Sequence, residues 1–161
     1  MFFLVIILSC CQQKKEPLVP LPIYTPPVEA QSKLDLINFF VLLNHGKYAE
    51  ATVLYGGSYD LLQGYNPSID PEDKALLLQS ACEMNGFACL QLYEATIIDR
   101  VSEKDFVYQV SFRNPDGSIF KVGPCCGATE EEMPPVRLFD IHVICNTSDE
   151  CKILDLPPYV P

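Results

Sequence analysis

The spacing of apolar residues changes once along this chain, at Asn85-Gly86, and that change sets the fold class. Before it the pattern is helical. Lys33 to His45 reads as an amphipathic helix with Leu34, Ile37 and Val41 on one face and Phe40 beside them. Ser32 is placed to cap this helix and Gly46 to stop it, with His45 at the favourable end of the helix dipole. Lys47-Tyr48-Ala49-Glu50-Ala51 restarts a short helix towards Tyr55, which Gly56-Gly57-Ser58 breaks. Asp70-Pro71-Glu72-Asp73 predicts a third helix, with Asp70 as N-cap and Pro71 at the first position, running to about Met84.

After Gly86 the pattern alternates. Leu90 to Asp99 reads as a strand. Asp105 to Arg113 follows, with Phe106, Tyr108, Val110 and Phe112 on one face and Val107, Gln109, Ser111 and Arg113 on the other. Asn114-Pro115-Asp116-Gly117 is a turn, and Ser118 to Val122 is expected to return as its hairpin partner. Val136 to Cys145 alternates again, Asn146 to Glu150 turns the chain, and Cys151 to Leu156 completes a second hairpin. Pro157-Pro158 ends it, because proline supplies no ladder donor.

Helices first and an antiparallel meander second predict an α+β domain, with the N-terminal helices packed on one face of a curved antiparallel sheet. The order, together with Ile37-Asn38-Phe39-Phe40 and Leu43-Asn44-His45-Gly46-Lys47-Tyr48-Ala49-Glu50-Ala51, resembles the NTF2-like (cystatin-like) superfamily. The resemblance covers most of the chain from about Leu34. It implies a cone with a pocket between helices and sheet, used for binding, catalysis or dimerisation, so a homodimer is among the expected partners.

The amino-terminal segment is of another kind. Phe2-Phe3-Leu4-Val5-Ile6-Ile7-Leu8 is too short for the roughly 20 residues of a bilayer-spanning helix and suits a signal-peptide core of about 7–15. It ends at Ser9-Cys10-Cys11, and Ile7-Leu8-Ser9-Cys10 resembles the bacterial lipobox. That resemblance implies a diacylglycerol thioether on Cys10, with Cys11 as the alternative, and cleavage before it. Lipidation of Cys11 would leave six downstream cysteines; lipidation of Cys10 leaves seven. No Lys or Arg precedes the apolar run, so either the amino terminus supplies the usual charge or the true start lies upstream. From Gln12 to Gln31 the prolines at 17, 20, 22, 26 and 27 favour an extended spacer. The expected organisation is a signal at 1–9, a lipidated cysteine and tether at 10–31, and one α+β domain at 32–161.

Eight cysteines in 161 residues fit an oxidising compartment better than a reduced one. With no Cys-x-x-Cys pair and only His45 and His142, the spacing gives no zinc set, and no metal is expected. Cys145 and Cys151 bracket the last hairpin turn, within disulfide reach. Cys82 and Cys89 flank Gly86, where the chain can fold back into a second bridge. Cys125 and Cys126 are adjacent between Gly123-Pro124 and Gly127. They can form a strained vicinal bridge or pair elsewhere, as a redox switch or as part of a structural turn. Thr129-Glu130-Glu131-Glu132 reads as a solvated loop.

A net charge of −10 repels phosphate backbones, which argues against nucleic-acid partners. Membrane attachment is expected only through covalent lipid. No nucleophile elbow, P-loop or dinucleotide fingerprint occurs, and no cofactor is expected. Asp140 and His142 lie two apart on one strand, where a carboxylate can orient an imidazole for acid–base work or simply meet solvent. Tyr48, Tyr55 and Tyr108 can line the family pocket with them or fill the core. The expected function is a membrane-anchored, non-catalytic exported lipoprotein that binds a small apolar ligand or an envelope protein. The alternatives are an NTF2-like isomerase or hydrolase using Asp140 and His142, and a thiol–disulfide protein using Cys125 and Cys126.

Overall fold

Pro27 opens the domain, its extended backbone passing into helix α1 (Val28–Asn44) as its carbonyl accepts the amides of Ala30 and Gln31. The computed structural model describes residues 27–147 and 150–160; the signal, the candidate lipidation residues Cys10 and Cys11 and the tether up to Pro26 lie outside the described residues. After α1 come α2 (Tyr48–Leu54), α3 (Asp60–Tyr65) and α4 (Lys74–Glu83). The strands follow: β1 (Gln91–Ser102), β2 (Asp105–Arg113), β3 (Phe139–Cys145) and β4 (Cys151–Ile153). They form an open antiparallel sheet in the order β1-β2-β3-β4, so the domain is α+β as the sequence predicts.

Helix α1 begins at Val28 rather than Lys33, and Ser32 lies within it instead of capping it. Its buried face is Ser32, Asp35, Leu36, Phe39, Phe40 and Leu43, roughly opposite the expected Leu34-Ile37-Val41 stripe. Leu34 is 49% exposed and Val41 37%. Apolar side chains occur on nearly every side of this helix, so spacing alone does not choose a face. The choice follows the two adjacent aromatics, which lock into the sheet side. Phe40 meets Phe112 edge-on at 4.8 Å, and Phe39 stacks on Tyr55 at 5.8 Å.

The third predicted helix starts later than expected. Asp70 does not cap it; its carboxylate accepts the Glu72 amide in a preceding turn, and Asp73 caps α4 by accepting from Leu76 at 3.1 Å. The short helix α3 is hidden in sequence by Gly64 and by Asn66-Pro67 after it.

Strand β2 carries the core. Phe106, Tyr108, Val110 and Phe112 are all fully buried, each contributing about 1.5–3 kcal/mol by its removal from water. Phe139, Ile141, Val143 and Cys145 of β3 turn the same way. Strands β2 and β3 pair without a shift from Asp105↔Ile144 to Val110↔Phe139. Strand β1 pairs with β2 through three register shifts, a device that bends an edge strand and disrupts its outer ladder. The expected hairpin partner at Ser118–Val122 does fold back along the end of β2, through the Arg113↔Ile119 bridge and the Phe120 amide donating to the Phe112 carbonyl at 2.9 Å. It goes no further along β2, whose edge from Asp105 to Val110 is occupied by β3; Val122 bridges Val136 instead.

The other sheet edge is closed by the loop after α2. Tyr55 bridges Ile153, and the Gly56 amide donates to the Ile153 carbonyl at 2.8 Å. A β-carbon on Gly57 would sit 2.1 Å from the Leu154 carbonyl oxygen. The Gly56-Gly57 pair therefore does more than end α2: it lets the chain lie directly against β4.

Candidate functional site

The strand alternation that buries β2 and β3 leaves a second face open. Gln109, Asp140 and His142 project from it, and Asp140 and His142 share a side as their spacing predicts. The tyrosines expected beside them do not join them. Tyr108 is fully buried on the opposite face, its hydroxyl 2.7 Å from Ser32 Oγ. Tyr55 donates to the Ser58 carbonyl within the α2–β4 packing, and Tyr48 donates to Glu83 Oε1 at 3.2 Å. Burial raises the ionisation of all three above the ordinary phenol range, assisted by Glu83 at Tyr48 and by Tyr59 and Asp155 at Tyr55, while the Ser32 hydrogen bond opposes it at Tyr108. Tyr48, Tyr55, Tyr108, Asp140 and His142 therefore form no common pocket. For Tyr108 the reason is the β2–β3 register: it pairs with Ile141 and shares its buried face, while Asp140 and His142 pair with Gln109 and Val107 on the other.

What the open face does hold is a cleft of about 500 Å³ lined by Gln109, Leu138, Phe139, Asp140, Ile141, Asp155, Leu156 and Pro158. Gln109 Nε2 reaches Asp140 Oδ1 at 3.5 Å across the β2–β3 pair. Asp155 Oδ2 accepts the His142 backbone amide at 2.7 Å and lies 3.9 Å from His142 Nδ1. Thus the carboxylate that approaches His142 is Asp155, supplied by the segment after β4, and not Asp140. A smaller hollow of about 260 Å³ continues over Glu94, Thr96, Ile98, Gln109, Ser111 and Leu138. Exposed Ile98, Leu138 and Ile144 place apolar surface among Glu94, Asp140 and Asp155. The alternating spacing sets Gln109 opposite the Phe106–Phe112 face and leaves Asp140 open between a pocket and solvent. The same spacing puts Leu138, Asp155 and Leu156 within strands, but β3 begins at Phe139 and β4 ends at Ile153, so all three lie just beyond the strand ends.

The cysteines divide into two kinds. Cys145 and Cys151 are opposite each other across the β3–β4 pair and form a disulfide with Cα atoms 4.0 Å apart. Cys82 at the end of α4 and Cys89 before β1 form a second, with Cα atoms 5.4 Å apart. Both pairings are those the spacing predicts. Cys125 and Cys126 form no bridge, to each other or elsewhere: both are free thiols, with Cys126 Sγ donating to Cys125 Sγ at 3.2 Å. That hydrogen bond, and then the charge Cys126 would carry, raise the Cys125 thiol above its usual range. Among the described residues no group of three or more His, Cys, Asp or Glu side chains is arranged to hold a metal ion, and no helix is long and apolar enough to cross a membrane.

No protein-family profile matches the chain, and no curated protein or solved structure is significantly similar to it.

Proposed function

We propose that this chain is an exported lipoprotein, anchored through Cys10 or Cys11, whose NTF2-like domain is a non-catalytic binding module held off the membrane by the proline-rich tether. The observation that carries the reading is the pairing of Cys82 with Cys89 and of Cys145 with Cys151 downstream of a lipobox-like Leu8-Ser9-Cys10-Cys11. Paired thiols suit an oxidising compartment, and the leader offers the route to it. The helices-then-sheet order, with the helices on one side of the sheet, supports the NTF2-like comparison.

The open sheet face is the binding surface in this reading. Its apolar side chains edged by carboxylates suit a partner protein that presents apolar residues flanked by basic ones. An isomerase or hydrolase would need Asp140 and His142 inside an enclosed pocket with the tyrosines. Their separation supports binding over catalysis.

Expression of the full chain in a bacterium supplied with labelled fatty acid tests the anchor. The label is expected on the wild type, in the membrane fraction. It is lost in Cys10→Ala and kept in Cys11→Ala if Cys10 carries the lipid, and the reverse assigns Cys11. An unlabelled protein recovered from the cytosol with its thiols reduced would end the reading.

A further inference from the structure

Four of the six cysteines in the described domain are consumed in bridges between elements. The remaining two are neighbours in sequence, and the loop that carries them is tied down on both sides. Its base is the Val122↔Val136 bridge, closed by reciprocal backbone hydrogen bonds of 2.8 and 2.9 Å. The Ala128 amide donates to the Cys125 carbonyl at 3.0 Å, closing a four-residue turn over 125–128. Its central residues, Cys126 and Gly127, both have positive φ, 59° and 88°, as in a type I′ turn. Glycine takes that conformation freely, but a cysteine does not, and Cys126 is the sole non-glycine residue with positive φ among those described. Immediately downstream Thr129 and Glu132 hold each other. The Thr129 amide and hydroxyl donate to Glu132 Oε2, and the Glu132 amide donates back to Thr129 Oγ1. The acidic stretch thus forms an ordered turn behind the thiols.

We propose that Cys125 and Cys126 are a reversible dithiol–disulfide site, oxidised to a vicinal bridge by thiol–disulfide exchange with a low-molecular-weight or protein disulfide. The sulfurs already touch, at 3.2 Å, and Cys126 is exposed to an incoming partner. In the first step the Cys126 thiolate attacks the partner disulfide, forming a mixed disulfide and releasing one partner thiolate. In the second the Cys125 thiolate attacks Cys126 Sγ, closing the ring and releasing the other partner thiolate. The two protons lost by Cys125 and Cys126 go to the two released thiolates, and the partner disulfide takes the two electrons.

The closed form is a weak bridge for a covalent reason. Bridging two neighbours closes a ring of eight atoms that contains the planar trans peptide bond, a constraint that the bridges across sequence separations of 7 and 6 do not carry. Ring strain makes a disulfide easier to reduce. The loop pair therefore changes state under conditions in which the two bridges between elements stay closed.

Trypsin makes this measurable, because cleavage after Lys74, Arg100, Lys121, Arg137 and Lys152 puts each pair in its own peptide: 75–100, 122–137 and 138–152. Purified full-length protein is equilibrated in a graded series of reduced and oxidised glutathione, quenched with an alkylating agent, digested and weighed. Because the protein is isolated, the result does not depend on whether the chain is lipidated in its host. Peptide 122–137 is expected to shift reversibly between a doubly alkylated form and an unalkylated form two hydrogens lighter than the free dithiol peptide. Its changeover is expected at a reduced-to-oxidised balance at least about a hundredfold less reducing than that needed by the other two peptides. Cys126→Ser is expected to stop at a lasting glutathione adduct on Cys125. The proposal is overturned if peptide 122–137 never loses two hydrogens, changes over together with the other peptides, or accumulates glutathione on both wild-type cysteines instead of closing.

Discussion

Ser32 Oγ and Tyr108 Oη lie 2.7 Å apart inside the core, joining the first helix to the middle of the second strand. Both residues are fully buried. Ser32 also donates to the Glu29 carbonyl at 2.9 Å, and Tyr108 reaches the same carbonyl at 3.3 Å. The contact fixes both the rotation of α1 and its height on the sheet, and so places Phe39 and Phe40 over β2. Ser32→Ala is expected to lower unfolding stability by about 1–2 kcal/mol, since it removes the shorter of the phenol's two hydrogen bonds in a buried setting. Tyr108→Phe should lower it by about 1 kcal/mol. The double variant should lose less than the sum, because no polar group is then stranded by its partner's removal. Urea unfolding of the four proteins measures the difference; strict additivity would show that the hydroxyls do not act together.

The two disulfides close short loops, with sequence separations of 7 for Cys82–Cys89 and 6 for Cys145–Cys151. Chain entropy assigns each about 2 kcal/mol. The Cys145–Cys151 bridge is more deeply buried, 6% and 2% exposed, and sits in the core against Val143 and Ile153. Replacing both of its cysteines by serine therefore also buries hydroxyls where sulfur packed. The Cys145→Ser/Cys151→Ser protein is expected to melt below the Cys82→Ser/Cys89→Ser protein, in a thermal scan without reductant. Equal losses would mean that loop closure alone sets the effect.

The parts of the fold legible in sequence are those where one constraint acts alone. Every second residue from Phe106 to Phe112 is apolar or aromatic, and all four are buried; a strand offers only two faces, so the pattern is unambiguous. Cys145 and Cys151 flank a turn, and antiparallel pairing brings them together. The misreadings arise where elements compete. The face of α1 was decided by Phe39, Phe40 and the buried Ser32, although Leu34, Ile37 and Val41 have helical spacing too. Residues 118–122 have strand character and fold back along the end of β2, but β3 takes the edge they would need to go further. The cleft beside Asp140 depends on Asp155 and Leu156, which the spacing puts inside the returning strand; β4 stops at Ile153, and the turn that carries the Asp155 carboxylate to the His142 amide is a property of the assembled domain.

Capping at the start of α4 separates two acids that are equivalent on paper. Asp73 accepts the Leu76 amide, while Asp70 accepts Glu72 in the turn before the helix. Asp73→Ala is expected to lower stability by about 1 kcal/mol, with Asn at the same position retaining most of it. Asp70→Ala should change stability by less than about 0.5 kcal/mol, as an exposed turn position. Denaturant midpoints decide between them, and a larger loss at Asp70 would return the helix start to Pro71.

Tyr59 makes stability depend on pH at the alkaline end. Its ring meets Tyr55 edge-on at 5.0 Å, and Lys74 Nζ lies 5.7 Å from its centroid. Its hydroxyl is buried with no hydrogen-bond partner. Burial pushes its ionisation up to about 12, and that of Tyr55 is raised as well. An unfolded tyrosine ionises near about 10. Below pH 10 both states hold the proton, so the group adds no pH dependence. Between about 10 and 12 the unfolded chain releases it first, and stability falls as pH rises. Phenolate absorbance should therefore show Tyr55 and Tyr59 ionising later in the folded protein than in the unfolded chain, with the unfolding midpoint dropping through the same window. Tyr59→Phe keeps the ring against Tyr55 and Lys74 while removing an unsatisfied hydroxyl. It should be neutral or slightly stabilising at pH 7 and should flatten the alkaline loss. A marked loss at neutral pH would mean that the hydroxyl has a partner after all, and that the Tyr55–Tyr59 contact is held by more than ring packing.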